Sequence, residues 1–421
     1  LMSEPIIVPK LLSINNYNYR RGGAEVVFLE QNRMFGEIGW QVVPFAMQHP
    51  KNLPSEWSGY FADEIEFGES YSFLQKASNA LKITYSFEAR SKLGKLVDLV
   101  RPDIAHAHNV YHHLSPSIFG LLKDKGVPTV LTLHDLKIAC PAYKMLSHDG
   151  ICERCKSGAI WNVAIHRCVK DSLPLSAVIL METAVQRLLG CYSKHVDRFV
   201  VPSRFYLEKF VEWGWPRERF VHIPNFVDID HLQARGEPGR AFVYVGRLGH
   251  EKGIATFIRA LKIAGVKGWI VGTGPEDEAL RRLAAETGAD VDFLGYLSGD
   301  ALFDAIRNAR AMVLPSEWYE NAPMSVMEAY ALERPVIGAD IGGIPELIRV
   351  GETGEVFPSG DAQALAERLA TFAAMQGLEI LAMGKAGRDW AIKEFTLHQY
   401  RERMLALYRE MGVSTDPQAA G

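Results

Sequence analysis

The sequence predicts an α/β protein of two doubly wound parallel sheets that face a cleft. Three observations carry this. The chain has 421 residues, 48% hydrophobic and 23% charged, which is too long for one ordinary core. Short apolar runs alternate with helical periodicity through both halves, as in parallel sheets covered by helices. Between Ile223 and Arg240 the periodicity lapses around Pro224, Gly236, Pro238 and Gly239, which marks the join.

In the first half, strands are predicted at Lys10–Ile14, Gln41–Ala46, Asp103–His106, Pro128–Leu133 and Arg198–Pro202. Helices are predicted at Ala24–Ile38, Ser72–Val100 and Ser117–Lys125. The second half repeats the theme. Its strands are Ala241–Gly246, Gly268–Gly272, Val291–Leu294, Ala311–Pro315, Pro335–Ala339 and Gly354–Phe357. Its helices are Ile254–Ala264, Glu276–Thr287, Asp300–Asn308, Met324–Leu332 and Asp361–Ala374. The expected domains are residues 1–224 and 225–395. In the remainder, 396–421, a helix over Leu397–Met411 is expected to cross back to the first domain, ahead of a loose tail from Ser414.

The formal net charge of -4 argues against a nucleic-acid partner. No apolar run is long enough to span a bilayer; the longest, Leu173 to Leu189, is broken by Glu182, Gln186 and Arg187. The N-terminus lacks a basic-then-apolar signal, and Leu1 ahead of Met2 reads as a cloning remnant. A cytoplasmic location is expected.

The richest stretch is Pro315–Ala329, which sets Glu320 and Glu328 eight positions apart across a strand-to-helix junction. Pro323 is expected in the helix's first turn, where a missing N–H costs little. Glu320 then lies just before a helix N-terminus, whose free N–H groups favour oxygen-rich ligands. Glu328 lies more than a turn further on, near enough to hold another part of the same ligand. This suits a nucleotide-activated sugar.

Arg247 and Lys252, with Gly246, Gly249 and Gly253 around them, leave the first strand of the second domain. Two cations there can neutralise the charge that develops on a departing diphosphate; solvated surface cations are the plain alternative. Gly272-Thr273-Gly274-Pro275 permits close backbone approach to a nucleotide, or forms a tight turn. Gly22 and Gly23, after Arg20-Arg21 and before the first helix, allow the same approach near a helix N-terminus. His134 and Asp135 end a buried strand. His134 can donate to a sugar hydroxyl or stabilise developing charge, or it is a structural histidine; Asp135 can cap the next segment.

Of five cysteines, four cluster as Cys140-x11-Cys152-x2-Cys155-x12-Cys168. The spacing fits a structural zinc site that staples the insertion 140–170. Two disulfides, disfavoured in a reducing compartment, and free thiols are the alternatives. His148 and His166 are substitute ligands. Lys76, Lys82, Arg90, Lys92 and Lys95 lie along the predicted Ser72–Val100 helix, either as a basic face for an anionic membrane surface or as a solvated face over a core stripe. Pro174–Leu189 is a second candidate for interfacial contact.

Together these positions resemble the family 4 glycosyltransferases, which have the two-Rossmann-domain GT-B fold. The matches are Gly22-Gly23, His134-Asp135, Pro202-Ser203, Pro224-Asn225, Gly246-Arg247, Lys252-Gly253, Gly272-x-Gly274-Pro275 and Glu320-x7-Glu328. The resemblance implies retaining transfer from a nucleotide diphosphate sugar without a catalytic metal. Arg247 and Lys252 would hold the diphosphate and Glu328 the ribose. Glu320 and the backbone of Asn321, Ala322, Pro323 and Met324 would position the donor sugar. His134 would contact that sugar near the reacting carbon, and Gly22 and Gly23 would approach it or the phosphate. The departing phosphate would help deprotonate the acceptor. That acceptor would be a glycan or a lipid-linked molecule of surface polysaccharide synthesis, with contact at the inner membrane surface.

Two departures stand out. Glu333-Arg334 precedes Pro335 where the family often has Gly, and Asn321-Ala322-Pro323 replaces its common Gly-Phe-Gly. The cysteine-bearing insertion resembles that of a bacterial polysaccharide subset and is expected to shape the acceptor site. An epimerase or phosphorylase on the same architecture, and a non-catalytic nucleotide-sugar sensor, are the rival functions.

Overall fold

The computed structural model describes residues 6–64, 85–111, 114–147, 149–234, 236–415 and 418–419. Two six-stranded parallel sheets form its frame. The first runs, edge to edge, Gln41–Phe45, Lys10–Ile14, Ile104–Ala107, Thr129–Thr132, Arg198–Val201, Phe220–His222. The second runs Val291–Gly295, Gly268–Val271, Phe242–Val245, Ala311–Leu314, Val336–Asp340, Gly354–Pro358. Central strands are buried along their whole length, as at Ile104–Ala107, Thr129–Thr132 and Ala311–Leu314. This follows from helices on both faces and explains why they read as unbroken apolar runs.

In each sheet the chain works outward to one side and then returns to the other. The second sheet reverses between Phe242–Val245 and Ala311–Leu314, the first between Lys10–Ile14 and Ile104–Ala107. A crevice opens at such a reversal, beyond the carboxyl ends of the strands.

The helix Leu397–Glu410 packs on the first domain. Tyr400, Met404, Leu407 and Tyr408 share one apolar cluster with Leu11, Phe35, Trp40 and Ile104. Each such side chain contributes about 2 kcal/mol by burial. Tyr408 Oη lies 2.6 Å from His106 Nδ1, and Tyr400 Oη donates to Gln31 at 2.7 Å.

The structure departs from the sequence reading at several places. A sixth strand, Phe220–His222, closes the first sheet. Helices also form at Leu173–Leu189, Arg204–Glu212 and Gly377–Glu394. The last hides behind two glycines that packing requires. A Cβ on Gly384 would lie 2.0 Å from Glu333 O, and one on Gly387 2.4 Å from the Tyr330 ring.

The basic helix is not continuous from Ser72. It starts at Phe87, where Ser86 Oγ accepts from Ala89 N at the helix N-terminus; Lys76 and Lys82 lie outside the described residues. Two of its cations are locally paired, Arg90 with Asp124 at 2.7 Å and Lys92 with Asp63 and Glu88 at 2.8 Å each, while Lys95 is exposed. Pairing of this kind weakens the attraction those two would offer an anionic surface. Among the described residues no helix is long and apolar enough to cross a membrane.

Candidate active site

At the reversal of the second sheet, two strand ends bring a cation and a carboxylate together. Lys252 leaves the loop after Phe242–Val245, and Glu320 the loop after Ala311–Leu314. Lys252 Nζ donates to Glu320 Oε1 at 2.7 Å, and Ser316 Oγ donates to the same oxygen at 2.7 Å. Glu320 is 7% exposed. Burial alone would push its carboxyl up, but the charge and hydrogen bond of Lys252, with Ser316, hold it below the usual carboxylate range. Lys252 Nζ also lies 4.9 Å from the Trp318 ring centroid, a cation–π contact.

Arg247 does not stand free in the crevice. Its guanidinium is bonded to Glu251, a buried carboxylate that Lys144 Nζ approaches to 3.7 Å. Tyr143 and Lys144 of the first domain, with Arg247, Glu251, Lys252 and Trp318 of the second, line a cleft of about 430 Å³. A ligand anion there meets three cations, Lys144, Arg247 and Lys252, that already face internal carboxylates.

Gly246, Gly272 and Gly274 serve the approach of two turns to one another. Gly272 has φ +136°, and a Cβ on it would lie 1.9 Å from Gly246 O; one on Gly274 would lie 2.3 Å from Leu248 O. These turns set Arg247 beside the cleft. Gly342 and Gly343, which the sequence reading passed over, press the same way on the Glu320 loop. A Cβ on Gly343 would lie 1.9 Å from Asn321 O.

The Glu320–Met324 loop also joins the lobes. Asn321 Nδ2 donates to Leu133 O at 3.0 Å, and Ser203 Oγ donates to Asn321 Oδ1 at 2.9 Å. Asn225 Nδ2 donates to the carbonyl of buried Ala322 at 3.0 Å. The side chain that stands in place of a common glycine is thus an interdomain tie. Pro323 precedes the helix Met324–Ala331 rather than lying in its first turn, and supplies the extended residue at its start (φ −63°, ψ 121°). From the other lobe a Cβ on Gly23 would lie 4.0 Å from Met324 Sδ, so Gly23 and the start of this helix face each other. Gly22 is the extended residue before the first helix. Glu328 is half-buried; burial raises its carboxyl, and the charge of Arg20 across the cleft opposes this.

His134 lies beside Leu133, the acceptor from Asn321. Its Nε2 is 2.9 Å from His108 Nδ1, and the rings of His106, His108 and His134 stack in series at 4.8 and 5.2 Å. Burial lowers all three: His134 to about 4, His106 to about 3, and His108 well below its ordinary value. At neutral pH His134 is therefore a neutral ring, able to donate or accept but without a charge of its own. Elsewhere Glu346 of the second domain accepts from Arg204 N and Phe205 N, at the start of the first-domain helix Arg204–Glu212, at 2.8 and 2.5 Å.

Cys140, Cys152, Cys155 and Cys168 line a separate small cavity, together with His166. All four are free thiols. As the side chains stand, no three Cys, His, Asp or Glu groups among the described residues are placed to hold a metal ion.

Comparison with known proteins agrees with the architecture. Residues 21–231 match the model of Glycosyltransferase Family 4, and residues 231–390 that of Glycosyl transferases group 1. The sulfoquinovosyl transferase SQD2 of Arabidopsis thaliana is 35% identical over 73% of this chain and 57% of its own length. The putative colanic acid biosynthesis glycosyltransferase WcaL of Escherichia coli is 28% identical over 51% of this chain and 57% of its own length. The chain thus spans little more than half of either relative. Among solved structures, sucrose-phosphate synthase of Thermosynechococcus elongatus superposes with TM-score 0.69 at 19% identity, covering 96% of this chain and 99% of that one. HepE of Anabaena, in complex with UDP, gives 0.66 at 15% identity, covering 96% and 100%. At that identity the likeness shows the fold, which is GT-B. Fold and family models together establish that this chain belongs to glycosyltransferase family 4.

Proposed function

We propose that the chain is a retaining glycosyltransferase that moves a sugar from a UDP- or GDP-sugar to a glycan or lipid-linked acceptor in surface polysaccharide synthesis. The observation that carries this is the Lys252–Glu320 contact, with Arg247 alongside, at the reversal point of the second sheet. Breaking a sugar–phosphate bond leaves charge on the diphosphate. Two fixed cations there lower that barrier without reorganisation at the moment of reaction, so no catalytic metal is required in this scheme. Glu320, Asn321, Ala322, Pro323 and Met324 then position the sugar, Glu328 the ribose, and neutral His134 a hydroxyl near the reacting carbon. Gly22 and Gly23 lie where the opposite lobe nears Met324.

The relatives' names support this reading: colanic acid and amylovoran biosynthesis for two of them, and UDP bound in a structural neighbour. Action at the cytoplasmic face of a membrane is part of the proposal. The helix Leu173–Leu189 exposes Leu173, Leu175, Met181, Leu188 and Leu189, and Trp161 and Ile165 are exposed just ahead of it, which supports apolar contact with lipid.

The test is a panel of nucleotide sugars with lipid-linked and free glycan acceptors, read by nucleoside diphosphate release and by NMR of the new linkage. Product with the donor's anomeric configuration is expected. An inverted product would reject the retaining step, and conversion of the donor without an acceptor would favour an epimerase.

A further inference from the structure

We infer that Cys140, Cys152, Cys155 and Cys168 form a structural tetrathiolate site for one zinc ion, which ties the insertion together beside the cleft. The four residues come from three separate turns, yet they line a single cavity of about 10 Å³. That is room for roughly one water-sized atom. Zinc–sulfur bonds of about 2.3 Å would draw the four side chains inward around that void, from positions in which no three of them yet hold a metal.

The rest of the insertion shows why a cross-link is needed there. Between Cys140 and Lys170 the buried apolar side chains are few: Pro141, Met145 and Val163, besides Cys140 and Cys155 themselves. The backbone is costly as well. Of the nine non-glycine residues with positive φ among those described, six lie at Tyr143, Met145, Ser157, Arg167, Lys170 and Asp171. Such conformations persist only when the surroundings impose them. A segment with so little core does not impose them by packing; a bound ion at its centre does.

Charge agrees with this assignment. Binding one Zn²⁺ to four thiols releases four protons and leaves the site with a net charge of about −2. Two arginines stand next to it. Arg154 Nη1 donates to Cys152 Sγ at 3.9 Å, while its other arm meets Asp149 at 3.3 Å. Arg187 lines a neighbouring cavity together with Cys155 and donates to Ala139 O at 3.0 Å.

The ion would steady residues that reach the cleft. Lys144 meets Glu251, and Glu153 Oε1 accepts from Tyr319 Oη at 2.9 Å and Lys209 Nζ at 2.7 Å. The insertion is therefore a strap from one lobe to the other, with the four cysteines at its root.

The experiment is metal analysis by inductively coupled plasma mass spectrometry on the full chain, purified without chelator, with intact mass and thiol titration on the same sample. About one zinc per chain is expected, with the four thiols unreactive until chelator and denaturant are added. Cys152→Ser together with Cys155→Ser should lose the zinc, whereas His166→Ala should keep it. Should the double variant fail to fold, zinc release from the unmodified chain by a chelator, followed by new proteolytic cuts within residues 141–170, gives the same answer. Background zinc with five reactive thiols overturns the assignment. So does a mass four hydrogens lighter with no metal, which means two disulfides. Loss of zinc in His166→Ala overturns the all-thiolate ligand set.

Discussion

Lys252 Nζ and Glu320 Oε1 are 2.7 Å apart, so the cation and the carboxylate at the reversal of the second sheet neutralise each other before any ligand arrives. Ser316 shares the same oxygen, which fixes the pair's geometry. The cleft is thus set in advance, and a ligand reorganises little when it enters. A diphosphate would draw on the remaining donors of the lysine, and a sugar hydroxyl on the second oxygen of Glu320.

Removing one partner should cost more than removing the charge alone. Lys252→Ala leaves Glu320 buried without its counter-ion and is expected to lower stability by about 3 kcal/mol. Glu320→Gln keeps a polar group of the same shape and should cost less. The pair also sets a pH window. The folded-state carboxyl of Glu320 lies below its ordinary value, so its stabilising contribution is present above the unfolded pKa of about 4.3 and disappears as pH falls through the folded value. Urea unfolding of the parent and Glu320→Gln at pH 7 and below pH 4 checks this. A stability gap that does not shrink in acid would contradict it.

The histidine stack works in the opposite direction. His134 falls from an ordinary 6.5 to about 4 in the fold through burial. Between those values the unfolded chain carries a proton that the folded chain does not, so stability declines as pH drops from 6.5 toward 4. The full shift corresponds to on the order of 3 kcal/mol. His134→Phe should make that part of the stability–pH curve less steep, with the share of His106 and His108 remaining. In the parent, turnover should show no step near pH 6.5 from this ring, because it is already neutral there.

Much of this architecture can be read in the sequence, for a physical reason. Strands buried on both faces are unbroken apolar runs, and turns that press backbone on backbone demand glycine, as at Gly246, Gly272 and Gly274. Pairings between distant residues leave no such trace. Nothing in the pattern says that Asn321 reaches Leu133 in the other lobe, or that His108 backs His134. The helix Gly377–Glu394 escapes for a related reason: Gly384 and Gly387 weaken its local signal while serving contacts with Glu333 and Tyr330.

Two glycines separate conformational cost from collision. Gly265 ends the helix Ile254–Ala264 at φ +66° with nothing within 4 Å of an added Cβ, whereas on Gly272 the Cβ would lie 1.9 Å from Gly246 O. Gly265→Ala should cost about 1 kcal/mol, the penalty of left-handed backbone for an alanine. Gly272→Ala should cost about 3 kcal/mol or more and should displace Arg247. Thermal denaturation of the two variants side by side tests the ranking. Equal shifts would mean that the turns can separate freely.

Arg247 and Glu251 give a prediction of opposite signs. Arg247 is half exposed, so its pairing with Glu251 contributes at most about 1 kcal/mol to the fold. A diphosphate must compete with Glu251 for the guanidinium. Arg247→Ala should therefore melt close to the parent yet bind UDP or GDP about tenfold more weakly, roughly 1.4 kcal/mol. Glu251→Gln removes the competing charge and should bind the same nucleotide more tightly. Lys144, which also meets Glu251 at 3.7 Å, is freed by the same change and adds to the gain. Calorimetric titration of the three proteins decides the matter. If Glu251→Gln weakens binding as much as Arg247→Ala, the carboxylate aims the arginine at the ligand rather than withholding it.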